Sequence, residues 1–242
     1  MEGFIDVHSH ILPGIDDGAS DMEETQEMLK IACSEGIREI IATPHFFSPH
    51  RHASPEKIAR VLAQVQEKLE EWAIPIKLYA GNEIFYRTGI PDLLEAGGVL
   101  TLAGSRYVLV EFDPPVEYTY LRDGIIKLMS YDYLPIIAHA ERYDCFFQER
   151  KRLHRIKEHG ALLQVNGETL LGSFMDEMSQ RGKYMVKQDL VDFLATDAHG
   201  SMGRSPRLQK SAAYLYKKLG REKAEKILFE NPQAVIQNQP ID

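Results

Sequence analysis

Cysteine is scarce. Cys33 and Cys145 are the only two in 242 residues, which gives no disulfide framework, so both are expected as reduced, buried thiols. Long hydrophobic runs are missing as well: no stretch approaches the roughly 18 apolar residues of a membrane span. The start, MEGFIDVHSH, has an acidic residue where a secretory leader carries positive charge. The expectation is a cytoplasmic protein without membrane insertion. Positive charge is in short supply, 28 Lys and Arg against 36 Asp and Glu for a net −8, which disfavours nucleic acid or anionic lipid as the main partner. Neither G-x-G-x-x-G nor G-x-x-x-x-G-K-[ST] occurs, so a nucleotide-cradling loop is not expected.

What remains is ordinary globular composition, 44% hydrophobic and 26% charged, in a length that α/β barrels commonly fill as one domain, here 1–242. Seven short apolar segments recur: FIDV, EIIAT, IKLYA, YVLVEF, LPIIAH, ALLQV and DFLAT. They run almost continuously apolar, as parallel strands covered on both faces do. Helix-length amphipathic stretches separate most of them. Asp21 to Ser34 is one, and Pro55 to Trp72 with Ser54 as N-cap is another. Leu121 to Ser130, Gln148 to His159, Met175 to Gln188, Pro206 to Leu219 and Glu222 to Phe229 follow, with a last helix expected from Asn231 as cap and Pro232 in its first turn. The alternation predicts parallel β/α architecture, either a closed or distorted barrel or an open doubly wound sheet.

Almost every apolar run stops at a potential metal ligand. FIDV leads to His8 and His10, EIIATP to His45, IKLYAGN to Glu83, YVLV to Glu111, LPIIA to His139, and DFLAT to Asp197 and His199. In a parallel β/α fold the carboxyl ends of all strands open on one face, so residues remote in sequence converge there. His8 and His10, two apart on an extended segment, project to the same side and can chelate one ion. An isolated H-x-H is commonly surface or capping, but a set of five histidines with carboxylates would cost several kcal/mol per buried unpaired group unless cations were bound.

The motifs DVHSHILPGIDDG, TPH, GNEI, LVEF, IAHAERYD and ATDAHG, in order from Asp6 to Gly200, make the chain resemble the polymerase and histidinol phosphatase (PHP) superfamily. The resemblance is strongest to its bacterial protein-tyrosine phosphatases of capsule and exopolysaccharide operons. It implies a distorted seven-stranded TIM-like (β/α) barrel of the PHP type with three divalent ions, manganese favoured and iron or zinc compatible with nitrogen and oxygen ligands. By matching motif, His8, His10, Glu83 and Asp197 would hold the first ion; Glu83, Glu111 and His139 the second; Asp17, His45 and His199 the third. Asp16 competes with Asp17 for the last role. Three divalent ions against four carboxylates leave a positive centre suited to a phosphate monoester.

The implied chemistry is metal-assisted hydrolysis of phosphotyrosine by activated water. Its implied substrate is a phosphotyrosine-containing protein such as the tail of a bacterial tyrosine kinase. Arg142 and Arg204 match positions from which guanidinium groups would fork onto phosphate oxygens. Leaving-group protonation stays open between His199 and a water on the ions. A cysteine-nucleophile route is disfavoured, because the residue six after Cys33 is Glu39 and six after Cys145 is Lys151, where arginine would be needed. The nearest rival is a small-molecule phosphatase such as one for histidinol phosphate. A nuclease lacks its basic stripe, and a noncatalytic metal-stabilised module is the alternative outside enzymes. Phe46, Phe47, Phe85, Tyr86, Tyr118 and Tyr143 either flank the substrate ring or pack the core. His50, His52, His154 and His159 are expected in solvent, and Asp6 either orients a ligand or bonds backbone.

Overall fold

The computed structural model describes residues 3–48 and 52–241. It has nine parallel strands: β1 (Phe4–Ser9), β2 (Ile37–Ala42), β3 (His45–Phe46), β4 (Lys77–Ala80), β5 (Glu83–Phe85), β6 (Tyr107–Glu111), β7 (Leu134–Ile137), β8 (Leu162–Asn166) and β9 (Phe193–Ala195). They pair in the orders β1-β2-β4 and β3-β5-β6-β7-β8-β9. All seven apolar segments form strands; β3 and β5 are the additions. Each follows its predecessor after two residues, where the ladder bends. Pro44, without an N–H, interrupts the first. At Gly81, at the second, a Cβ would sit 2.9 Å from Leu102 Cδ2 and 3.2 Å from Ile41 Cγ2, so any larger residue would crowd these side chains.

The sheet curls until its ends meet. Ser9 bridges Ala198 in parallel, the Asp197 N–H donates to His8 O and the His10 N–H to Ala198 O, at 2.9 and 2.8 Å. This curled parallel α/β arrangement is compatible with a TIM-like fold. Asp6, fully buried, fastens the same seam: Oδ1 accepts from Thr196 N–H at 3.0 Å and Oδ2 from its hydroxyl. Of the two expectations for Asp6, the structural bond to a neighbouring strand is the one observed.

The near-continuous apolar character of the strands follows from burial on both faces. Val108 and Val110 pack with helix residues Leu121, Ile125 and Leu128 in one cluster, whereas Leu109 joins Val7, Ile41, Ile136, Phe193 and Ala195 in another. Some helices begin at side-chain caps, the expected Ser54 among them. Asp21 Oδ1 accepts from the N–H groups of Glu23 and Glu24 at 3.0 and 2.9 Å ahead of the helix Met22–Ser34, and Ser54 caps Pro55–Glu71. The expected helix from Gln148 to His159 is Lys151–Glu158, and the short helices Asp144–Gln148 and Ile90–Glu95 were not anticipated. Asn231 is not a cap: its backbone is helical and the chain continues through it, while its side chain donates to Asp192 O at 2.9 Å. His154 and His159 are exposed as expected; His52 instead accepts from Phe47 N–H at 3.0 Å, and His50 lies outside the described residues. Among the described residues no helix is long and apolar enough to cross a membrane.

Candidate metal centre

The segment after β1 is shaped by one glycine. A Cβ on Gly18 would lie 2.0 Å from His10 O; without it, the DDG loop folds back so that Ala19 N–H donates to that carbonyl at 3.0 Å. The fold-back separates the two neighbouring aspartates. Asp16 turns inward: Oδ2 meets His10 Nδ1 at 2.7 Å and accepts from His45 N–H at 2.9 Å, while Oδ1 accepts from Gly18 N–H at 3.0 Å. Its carboxyl is buried, yet these partners hold it down at about 2. Asp17 points the other way, 69% exposed, with Oδ1 3.4 Å from His45 Nε2 and 3.6 Å from His199 Nε2. Asp16 therefore braces two histidines, and Asp17 faces the open side of the centre.

Eight of the nine side chains expected to hold ions come together into three groups whose candidate ligand atoms lie within 4.8 Å of one another: His8, His10, Glu83 and Asp197; His45, Glu83 and Glu111; and His10, Asp17, His45 and His199. His139 lies beside them, its Nε2 2.9 Å from Glu83 Oε1 and 3.8 Å from Glu111 Oε2. The second group thus holds His45 where His139 was expected. The innermost group is sealed, with His8, His10 and Glu83 fully buried and Asp197 nearly so; His45, Glu111 and His199 retain 10 to 15% side-chain exposure.

Two features fit divalent ions. The Nε2 atoms of His8 and His10 face each other at 3.3 Å, which suits convergence on a common Lewis acid. His139 Nδ1 and His199 Nε2 are buried without a hydrogen-bond partner, and His45 Nδ1 has only Glu83 Oε2 and Glu111 Oε1, at 2.9 and 3.3 Å, a concentration of poorly satisfied polar atoms that native interiors avoid. In the metal-free chain, opposite charges partly fill that need. Burial opposes charge on His8, but Glu83 and Asp197 outweigh it and raise the imidazole to about 9; Glu111 and Glu83 likewise raise His45 against burial, to about 11. Burial, His10 and Arg204 bring His199 down to about 4.

Both arginines converge on Asp197. Arg142 and Arg204 reach Oδ2 at 2.9 and 2.5 Å, and Asn166 Nδ2 donates to the same oxygen at 2.8 Å. Oδ1 lies 3.4 to 3.6 Å from His8, His10 and His199. The arginines expected to meet substrate are thus engaged with a carboxylate, although 36% and 43% of their side chains stay exposed.

Of the aromatics, Phe46, Tyr86, Tyr118 and Tyr143 are buried packing. Phe47 and Phe85, ring centroids 5.4 Å apart, are half-buried, with Phe47 5.1 Å from the His45 ring. Cys145 is buried, its thiol pushed up to about 11 by desolvation, unlike an activated nucleophile. Sequence reasoning missed Gln164 and Asn166 behind the centre. The signal was available: two amides two apart at the end of the one strand run, ALLQVN, that offers no ligand.

Similarity searches agree with this arrangement. The chain is 32% identical to the tyrosine-protein phosphatase CpsB of Streptococcus pneumoniae over 98% of its own length and all of the relative. It is 32% identical to the tyrosine-protein phosphatase YwqE of Bacillus subtilis, over 98% of this chain and 93% of that one. A crystal structure from the work on these two proteins, metal-dependent tyrosine phosphatases, matches with a TM-score of 0.91 at 31% identity, covering 98% of this chain and 96% of its own. The family model for capsular polysaccharide synthesis, CpsB/CapC, spans residues 4–237, and the chain belongs to that family.

Proposed function

We propose that this chain is a metal-dependent protein-tyrosine phosphatase, one domain over 1–242, acting in the cytoplasm on a phosphotyrosine-containing protein such as the tail of a bacterial tyrosine kinase. The observation that carries the reading is the overlap of the ligand groups: His10 is common to the first and third, Glu83 to the first and second, His45 to the second and third. Shared ligands make neighbouring ions, and adjacent ions suit a phosphoryl group. We assign His8, His10, Glu83 and Asp197 to one ion, Glu83, Glu111 and His139 to a second with His45 adjoining, and Asp17, His45 and His199 to a third, manganese favoured. The strand pairs β2–β3 and β4–β5 count as one stave each, which gives the seven-staved PHP barrel.

When bound, the ions supply Lewis acidity and lower the pKa of water towards ~7. The protein's own groups orient and balance charge. Arg142 and Arg204, tethered at Asp197, present their remaining guanidinium surface to the pocket, where substrate oxygens compete for it. His199 donates from Nδ1 to the carbonyl of Asp197 at 3.0 Å, because a carbonyl only accepts. Its neutral form therefore carries a bare Nε2, a ligand atom rather than a proton donor. With His199 not donating, protonation of the leaving group falls to water, which favours a leaving group that departs readily without a proton. Tyrosine, pKa ≈ 10, is such a group and an alkyl alcohol is not. We assign Phe47 and Phe85, the half-buried pair beside His45, to flank the ring.

The deciding experiment compares a phosphotyrosyl peptide with histidinol phosphate on one metal-loaded preparation. Faster turnover of the peptide is expected, and loss of most of it in His8→Ala with the chain still folded. Efficient turnover of histidinol phosphate alone reverses the substrate assignment.

A further inference from the structure

Gln164 lies on β8, fully buried, opposite no candidate ion-binding group of its own strand. Its Oε1 accepts the His139 backbone N–H at 2.8 Å and lies 3.1 Å from His8 Nδ1, and its Nε2 donates to Asn166 Oδ1 at 2.8 Å. Asn166 Nδ2 in turn donates to Asp197 Oδ2 at 2.8 Å. The direction of every bond is determined by one fact: a backbone N–H can only donate. The atom facing His139 N–H must be the oxygen of Gln164, so His8 Nδ1 must carry the hydrogen it shares with that oxygen. Nε2 of neutral His8 is then the lone-pair atom, and it is the atom that faces His10 Nε2, Glu83 and Asp197. At the other end Asn166 occupies Asp197 Oδ2, which leaves Oδ1 towards the histidines.

We infer that Gln164 is a positioning residue that selects the ligating tautomer of His8 and, through Asn166, the ligating oxygen of Asp197. It also secures His139, whose φ of +33° is strained for a residue other than glycine, through that residue's N–H. One amide thus sets three candidate ligands on three strand ends, β1, β7 and β9. Glu141 Oε1 anchors the far side by accepting from Asn166 N–H at 3.0 Å.

The inference rests on the metal-centre reading, and the experiment separates the two. Titration calorimetry with zinc first establishes that the wild-type chain binds the ion; failure here sinks the metal reading itself, before any variant is made. Gln164→Met removes acceptor and donor at similar volume. The expected result is roughly 10- to 100-fold weaker zinc binding, the range for loss of an outer partner of a ligand. In ¹H–¹⁵N spectra of the zinc-loaded chain, a downfield imidazole Nδ1–H signal, assigned by its loss in His8→Ala, is expected to disappear in Gln164→Met. Wild-type affinity with that signal intact overturns the inference. If Gln164→Met does not fold, Gln164→Glu carries the test. A carboxylate is the stronger acceptor, so the signal moves further downfield; an unmoved signal means that His8 does not donate to residue 164, and the inference falls.

Discussion

Asp197→Asn isolates the ion-binding role of the innermost group from its role in folding. Asp197 is 1% exposed, and its two oxygens have separate tasks. In the metal-free chain, asparagine keeps an acceptor for Asn166 and loses the ion pairs with Arg142 and Arg204 and the attraction of protonated His8, the last offset by relief from burying a charged carboxylate. Both guanidinium groups are more than a third exposed and return to water, so each pair is worth at most ~1 kcal/mol. For a chain of this size about 1–2 kcal/mol lowers Tm by roughly 2–8 °C. With metal the comparison changes. At 100 times Kd, one bound ion stabilises the wild type by about 2.7 kcal/mol, or roughly 5–11 °C. A ~100-fold loss of affinity in the variant brings the same concentration down to Kd, where the gain is about 0.4 kcal/mol, roughly 1–2 °C. Melting curves of both proteins, with manganese and with chelator, read the four numbers directly. The expected signature is a modest difference in chelator and a large one in metal. An equal metal-induced rise in both proteins refutes Asp197 as a ligand.

Three further outcomes are expected. Cys33→Ser and Cys145→Ser, separately and together, leave phosphatase turnover intact, and an alkylating reagent near pH 8 modifies half-buried Cys33 well before Cys145, whose thiol is pushed up to about 11; inactivation tracking either thiol contradicts the mechanism. Gly18→Ala forces a Cβ to 2.0 Å from His10 O, so the DDG loop must shift at a cost of ~1–3 kcal/mol, with weaker metal binding by calorimetry; unchanged affinity shows that the fold-back of the loop is dispensable. Ion binding releases protons. His8 and His45, raised to about 9 and about 11 in the metal-free chain, are protonated at pH 7.5 and must lose those protons to ligate. Apparent affinity therefore rises with pH, steeply up to about 9 and less steeply from there to about 11, and heats measured in buffers of different ionisation enthalpy report net release; absence of release at pH 7.5 would contradict protonated, ion-paired histidines.

Much of the fold was legible because parallel strands covered on both faces leave an unmistakable mark: all seven apolar runs are strands, and Ser54 caps its helix as its position predicts. What escaped was geometry that depends on distant contacts. The breaks before β3 and β5 follow from Pro44 and from the approach of Leu102 to Gly81, and the latter is invisible until the chain is folded. The candidate ligands were legible as polar ends of apolar runs, but their pairing was not. His45 reaches Glu83 and Glu111 as well as Asp17, so motif order alone could not apportion it. Asp16 and Asp17 are neighbours of one type, and only the return of the loop over Gly18 turns one inward and the other out. The arginines were visible as candidates; that both would close on one oxygen of Asp197 was not.

The same side chains solve two problems at different times. Burial would raise Glu83, but His8, His10, His139 and His45 around it hold it well below the usual carboxylate range. Without ions, then, charged histidines stand in for cations, and the interior is never left with Glu83, Glu111 and Asp197 uncompensated. A zinc finger has no such substitute, which is why it unfolds without metal. Here the seam between β1 and β9, closed by backbone bonds and by the side chains of Asp6 and Thr196 rather than by the side chain of any candidate ligand, and the apolar clusters on both sides of the sheet exist independently of the ions. Removal of metal therefore takes stability from the site without dissolving the fold that presents it, and a metal-dependent activity in a chain that stays folded under chelation is what distinguishes a catalytic centre from a structural staple.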